Sequence, residues 1–299
     1  MMRSLYSGVA GLRVHQTRMD VIGNNIANVN TVGFKCSRVT FRDVLYQTYA
    51  GATTPSDDNP VRGGTNPSQI GLGVYVASID VLNTRAGPMT TDRPLDCYLD
   101  GEGYFKVQGP ENSQGVAPEY YTRVGDFHFD PTGNLVDGNG NLVMGLPADA
   151  VPFAEMVEGS MEPNIGDAGE LPIRIEDYVT NKYSQITIGP DGIITGYNNV
   201  DQINETLGQI LVYKFPNNDG LSQVGSTYLQ ITPNSGYPAV CAPGQDGTGK
   251  VVTSRLEMSN VELAREFTDM IITQRGFQAN SRIITVSDEM LQELVNLKR

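Results

Sequence analysis

With 299 residues and a formal net charge of −13, the chain is long enough for one large domain or two ordinary ones, and it lacks the basic face that nucleic acid or an anionic membrane surface requires. Plentiful glycine (33) and proline (17), with no tryptophan, favour short strands and turns over a helical body. Three cysteines (Cys36, Cys97, Cys241), an odd number at wide spacing, form neither a disulfide framework nor a metal pattern.

Residues 3–29 carry apolar groups at Leu5, Val9, Leu12, Met19, Ile22 and Ile26, with Gln16 on the same stripe. Steps of three and four predict a helix with a seam for another helix. Asn24, Asn25, Asn28 and Asn30 crowd its end and Gly33 follows, so the helix is expected to close near residue 29. Arg13, His15, Gln16 and Arg18 interrupt any apolar core of a secretory signal, and no stretch approaches the ~20 apolar residues of a membrane span.

Residues 31–73 read as an extended linker, loop-like from 50 with Pro55, Pro60, Pro67 and paired glycines. From residue 74 short alternating runs follow, such as Val74–Ile79 and Gly103–Val107. Turn clusters at Asp130–Asn134, Asp137–Asn141 and Pro190–Gly192 punctuate them. This texture predicts a β-rich domain over 74–255, of sandwich or barrel type. Residues 146–182 read as an irregular acidic insertion, and Gly-rich residues 242–250 lead out of the domain.

No proline interrupts residues 256–299, and the second helix expected after the cap near Ser259–Glu262 would be about 55 Å long at ~1.5 Å per residue. Ser259 with Glu262 has the spacing of a capping box. A heptad comb follows through Leu263, Phe267, Met270, Gln274, Phe277, Ser281, Ile284, Asp288, Leu291 and Val295. Seven of these ten positions are apolar, worth about 10 to 20 kcal/mol if a partner covers them. Isolated helices are marginal in water, so both ends are expected to order on assembly. A two-helix coil satisfies the pattern, and so does a larger helical assembly. Charge follows the same partition: residues 1–29 sum to +2, residues 259–299 to −1, and the middle to −14.

No constellation carries catalysis. The Gly71-Leu72-Gly73 and Gly101-Glu102-Gly103 runs lack a third glycine and a phosphate-binding lysine. Asp137-Gly-Asn139-Gly-Asn141 begins like a calcium loop, but Leu142 and Ala148 stand where the loop needs Gly and Glu. His15 sits within a helix, His128 lies between two phenylalanines in a strand pattern, and no nucleophile motif occurs. Asp57-Asp58 lies in a Pro-rich loop as solvated charge. The expectation is a protein without enzymatic activity, cofactor or metal.

Met19–Lys35, with its core Asn24-Asn25-x-Ala27-Asn28 and tail Thr31-x-Gly33-Phe34-Lys35, resembles the N-terminal signature of bacterial flagellar rod and hook proteins. Glu257–Leu263 and Gln274–Asn280 resemble that family's C-terminal helix. Arg93–Asp96 with Gly101–Phe105 resembles the opening of its β domain. The likeness covers nearly the whole chain except 146–182. It implies an α+β protein in which the helical ends, 1–30 with 256–299, pair as an antiparallel coiled coil lining a tube, with the β domain outside. It further implies signal-less flagellar type III export, self-polymerisation, and contact with distal rod, hook cap and hook–filament junction proteins. Gln292–Arg299 and Arg38–Phe41 look most like hook subunits, whereas the chain length is close to that of a distal-rod protein. The hook is therefore the first expectation and the distal rod the alternative. A secreted binding or adhesion module is a remote third.

Overall fold

The N-terminal helical pattern forms α1, Met2–Ala27, and the C-terminal one forms α2, Leu263–Leu297. The structure is a computed structural model that describes residues 2–55, 63–110, 117–148, 171–175, 182–245 and 247–297. Helix α1 ends two residues before the expected position. There the Asn28 amide N–H reaches the Asn24 carbonyl at 3.2 Å and the Asn28 side chain donates to the same oxygen at 2.9 Å, so local amide capping closes the turn. Helix α2 starts later than the capping-box reading implies. The Glu262 carbonyl accepts the Glu266 N–H at 3.0 Å, which makes Glu262 the cap residue and leaves Ser259 outside the helix.

Two compact units emerge: residues 1–29, 36–82 and 261–299 in the first, residues 30–35 and 83–260 in the second. The first unit corrects the linker reading of 31–73. Strand β1, Ser37–Asp43, pairs antiparallel with β4, Val74–Val81, from Ser37↔Val81 to Asp43↔Val74, with an irregularity between Thr40 and Phe41. Between them, β2, Tyr46–Ala50, pairs with β3, Ser68–Gly71, and Thr53 and Thr65 extend the ladder. Every residue of β2 and β3 is exposed, so these strands lack the buried alternation that would identify them in a sequence. The predicted β domain also starts too early. Val74–Val81 is committed along its whole length to β1, and the second unit's main segment begins at residue 83.

The second unit is built on an antiparallel sheet whose neighbours run Tyr183–Ile188, Ile193–Asn198, Asn204–Ile210, Leu142–Pro147, Phe105–Gln108, Glu119–Thr122, Tyr228–Gln230 and Ser222–Gly225. One apolar core gathers Phe105, Val107, Phe127, Leu135, Val143 and Ile210, all without solvent exposure. A second, aromatic cluster packs Tyr121 edge-on against Phe215 at 4.9 Å and Tyr213 at 5.6 Å. The expected insertion at 146–182 lies largely outside the described residues. Its described part is not irregular surface: Leu171–Pro172 pairs with Leu142–Pro147, and Ile173 and Ile175 are buried in the core.

The two turn clusters at 130 and 137 are the same turn used twice. The Asp130 carboxylate accepts the backbone N–H of Thr132 at 2.9 Å and Asn134 at 2.8 Å. Asp137 accepts those of Asn139 at 3.0 Å and Asn141 at 2.9 Å. The acids therefore serve as turn-closing acceptors, and the Tyr228 hydroxyl also donates to Asp137.

Candidate assembly surface

The family motif divides into two structural devices. In the first unit, buried Asn25 acts through both ends of its amide. Nδ2 donates to the Ser37 carbonyl at 2.9 Å, and Oδ1 accepts the Ser37 N–H at 3.0 Å. An asparagine is suited to this because it offers donor and acceptor side by side, and it ties α1 to the first residue of β1. Asn24 and Asn28 close the helix, while Ala27 is its last residue.

In the second unit, Thr31, Gly33, Phe34 and Lys35 run beside the strand Arg255–Glu257. The Gly33 N–H donates to the Glu257 carbonyl at 2.8 Å, Phe34 N–H to the Thr31 carbonyl at 3.3 Å, and Asn260 N–H to the Phe34 carbonyl at 3.4 Å. Gly33 has φ +70°, and a Cβ there would lie 2.7 Å from the Val124 side chain, so the position requires glycine.

Lys35 then reaches a buried charge cluster. Its Nζ donates to Glu257 Oε1 at 2.6 Å and to the Thr84 carbonyl at 2.9 Å. Glu257 Oε1 also accepts the Ala86 N–H at 3.0 Å, and Oε2 lies 3.4 Å from Arg123. Arg123 donates in turn to the Gly101 carbonyl at 2.8 Å, with its guanidinium 5.4 Å from the centre of the Tyr104 ring. One carboxylate is thus held between two cations and supplied with hydrogen bonds, the condition under which buried charge is tolerated. Sequence reasoning found Lys35 and missed Glu257 and Arg123 as its partners, because residues 222 and 88 positions away leave no local pattern.

The helices meet along a line of small and polar residues. Gly8 faces Ile284 and Asn280, Gly11 faces the Asn280 amide, and Gly276 faces the His15 ring. Arg18 pairs with Asp269 at 2.9 Å. Val14 and Ile22 are the buried apolar residues of α1, and Thr273 and Ser287 are the buried residues of α2. The intrachain line shares Ile284 with the predicted comb and otherwise runs through small and polar residues. Of the comb, Ile284 lies against Gly8, while Met270, Ile284 and Leu291 are half-buried and Leu263, Phe267, Phe277 and Val295 are exposed. On α1, Leu5, Val9, Leu12, Met19 and Ile26 are half-buried and Ile22 is buried. Glycines let two helix backbones approach closely, a use that a hydrophobic stripe does not reveal.

Among the residues α2 leaves to solvent are many apolar ones. Phe267 is 50% exposed, Ile271 59%, Ile272 55% and Val295 65%, with Ile283, Val286, Met290 and Leu294 close behind. Scattered exposed apolar residues are ordinary, whereas several on one helix are what an interaction surface requires. Among the described residues, no helix is long and apolar enough to cross a membrane. The cysteines are buried thiols, and burial with the neighbouring Asp96 pushes Cys97 far above the usual thiol range, away from the reactive thiolate.

Comparison with known proteins agrees with this layout. The family of flagella basal body rod proteins matches residues 5–35, the D1 domain of the flagellar hook protein FlgE/F/G matches 98–196, and the C-terminal region of flagellar basal body rod FlgEFG proteins matches 252–297. The chain is 43% identical to the flagellar basal-body rod protein FlgG of Bacillus subtilis over 302 residues, covering all of both chains. This chain belongs to the flagellar rod and hook protein family, the structural proteins of the flagellar axis. It is also 35% identical to the FlgG of Borreliella burgdorferi over 301 residues and 31% identical to that organism's flagellar hook protein FlgE over 450 residues, again covering all of both chains.

Proposed function

We propose that this chain is a distal-rod subunit of the flagellar basal body, polymerising with copies of itself into a segment of the axial tube. The apolar face of α2 carries the reading. Covering residues such as Phe267, Ile271 and Val295 is worth up to roughly 1.5–3 kcal/mol each, and among the described residues they stay half or more exposed. In the tube, α1 and α2 form an antiparallel coiled coil. The contacts Gly8–Ile284, Gly11–Asn280, His15–Gly276 and Arg18–Asp269 support that direction, since one number rises as the other falls. The assembly seam comprises the exposed Leu263, Phe267, Phe277 and Val295 and the half-buried Leu5, Val9, Leu12, Met19, Ile26, Met270, Ile284 and Leu291, with Ile22 beneath them.

Two observations move the rod ahead of the hook. All 299 residues align with a rod protein over 302 positions, whereas alignment with a hook protein needs 450, so the hook relative has a large segment without a counterpart here. The hook remains the second reading, favoured by full coverage of both chains in that alignment and by the likeness of Gln292–Arg299 and Arg38–Phe41 to hook subunits. Under either reading the subunit leaves the cell through the flagellar export apparatus without a cleaved signal and acts through surfaces rather than an active site. Its neighbours are then other rod proteins and the hook, or the distal rod, hook cap and hook–filament junction. A null strain separates the readings. Loss of a distal-rod subunit leaves basal bodies with an incomplete rod by electron microscopy, and a complete rod lacking a hook would establish the hook reading instead.

A further inference from the structure

Near the middle of the α1–α2 contact, a single histidine occupies a space that only glycine leaves open. The His15 ring lies so close to Gly276 that a Cβ on that glycine would be 2.7 Å from its Cε1 and Nε2. Its other side meets the Phe41 ring edge-on, with centroids 6.1 Å apart. Nδ1 is enclosed and has no hydrogen-bond partner among the described residues.

The charges around this ring offer a second proton no welcome. On α1, Arg18 is the nearest cation, and its guanidinium also lies 5.8 Å from the Phe41 ring centre. On α2, Asp269 is the facing acid, but it is paired with Arg18 at 2.9 Å. Arg275, beside Gly276, is bound to Gln278 and adds positive charge. On β1, Arg42 and Asp43 follow Phe41, and Asp43 accepts a hydrogen bond from Tyr46. An imidazolium would therefore present an enclosed N–H without an acceptor, beside an arginine whose counter-ion is already engaged.

We propose that His15 is an acid-sensitive latch: neutral, it lets α1 and α2 close over Gly276, and protonated, it drives the two helices apart. Burial, and then the Arg18 charge, hold its proton affinity below the ordinary histidine value. The sign follows from linkage. The separated state binds the proton more tightly, so helix pairing is unpenalised above ~6.5 and weakens as pH falls from there through the lower paired-state value.

The test uses the full-length chain, wild type and His15→Gln, titrated from about pH 8 to about pH 5 across the ordinary histidine range. Far-UV circular dichroism follows the helices, and the labelled His15 imidazole resonance, assigned by its loss in the variant, reports its own titration. The expected result is a wild-type helix signal that falls in acid, a variant signal that does not, and a His15 midpoint below ~6.5. Identical acid profiles, or a midpoint at or above the ordinary value, would overturn the proposal. Should the variant fail to fold, His128→Gln assigns the remaining imidazole by elimination, and its midpoint decides alone. Neither readout needs polymerisation, so failure here leaves the tube reading standing.

Discussion

Lys35 shows how one residue of the signature acts far from where the sequence places it. Its ammonium neutralises Glu257, which is 1% exposed and also faces Arg123. Replacing Lys35 by Met leaves the carboxylate with Arg123 at 3.4 Å and one backbone N–H. Breaking a buried pair in this way costs about 3–5 kcal/mol. Urea unfolding followed by circular dichroism, chosen because the chain has no tryptophan, should show that loss for Lys35→Met. The double variant Lys35→Met/Glu257→Gln should recover none of it, because it leaves the buried Arg123 without its carboxylate. A Lys35→Met protein as stable as wild type would mean that the pair contributes nothing. The signature lysine was legible because it stands in a recognisable run. Its partners were not, since only the folded chain brings residues 35, 123 and 257 together.

The helices, as elements, show what a hydrophobic pattern reveals and what it conceals. Both were legible to within a few residues, because apolar positions recur in steps of three and four with no proline between them. Which face meets which was not legible. The comb from Leu263 to Val295 was read as a seam for another helix, in a two-helix coil or a larger assembly; Ile284 of it lies on the line facing α1, which otherwise runs through Asp269, Gly276 and Asn280. Close packing here depends on missing side chains, and a glycine at position 11 adds nothing to an apolar count. Gly11→Leu tests the point. The substitution favours an isolated helix by up to ~1 kcal/mol through propensity. A Cβ at Gly11 already comes within 2.9 Å of the Asn280 Cγ, and overpacking of this kind costs about 1–3 kcal/mol. The clash should win, and the helical signal at 222 nm should melt at lower temperature than in wild type. A higher melting temperature would show that the helices do not meet at Gly11. Strands β2 and β3 were missed for the converse reason: they bury no face, so nothing in their composition separates them from a loop.

For the whole molecule, the β-rich second unit has its apolar clusters inside, whereas the first unit leaves an apolar helix face in water. The α+β class, the β-rich middle and the family were all legible in the sequence. The boundary between the two units near residue 83 was not, because it depends on which partner Val74–Val81 pairs with rather than on any change of composition. The proposed function rests on the exposed apolar residues of α2, and its most direct test is polymerisation of the full-length double variant Phe267→Glu/Ile271→Glu. Both residues are at least half exposed in the single chain, so charges there are solvated in the monomer but opposed by about 2–7 kcal/mol or more each if the face is buried without a partner. Electron microscopy of the variant should show no tubes and cells should lose motility, while urea unfolding of the β-rich unit stays at the wild-type midpoint. A variant that still builds tubes of normal length would show that these residues do not carry assembly.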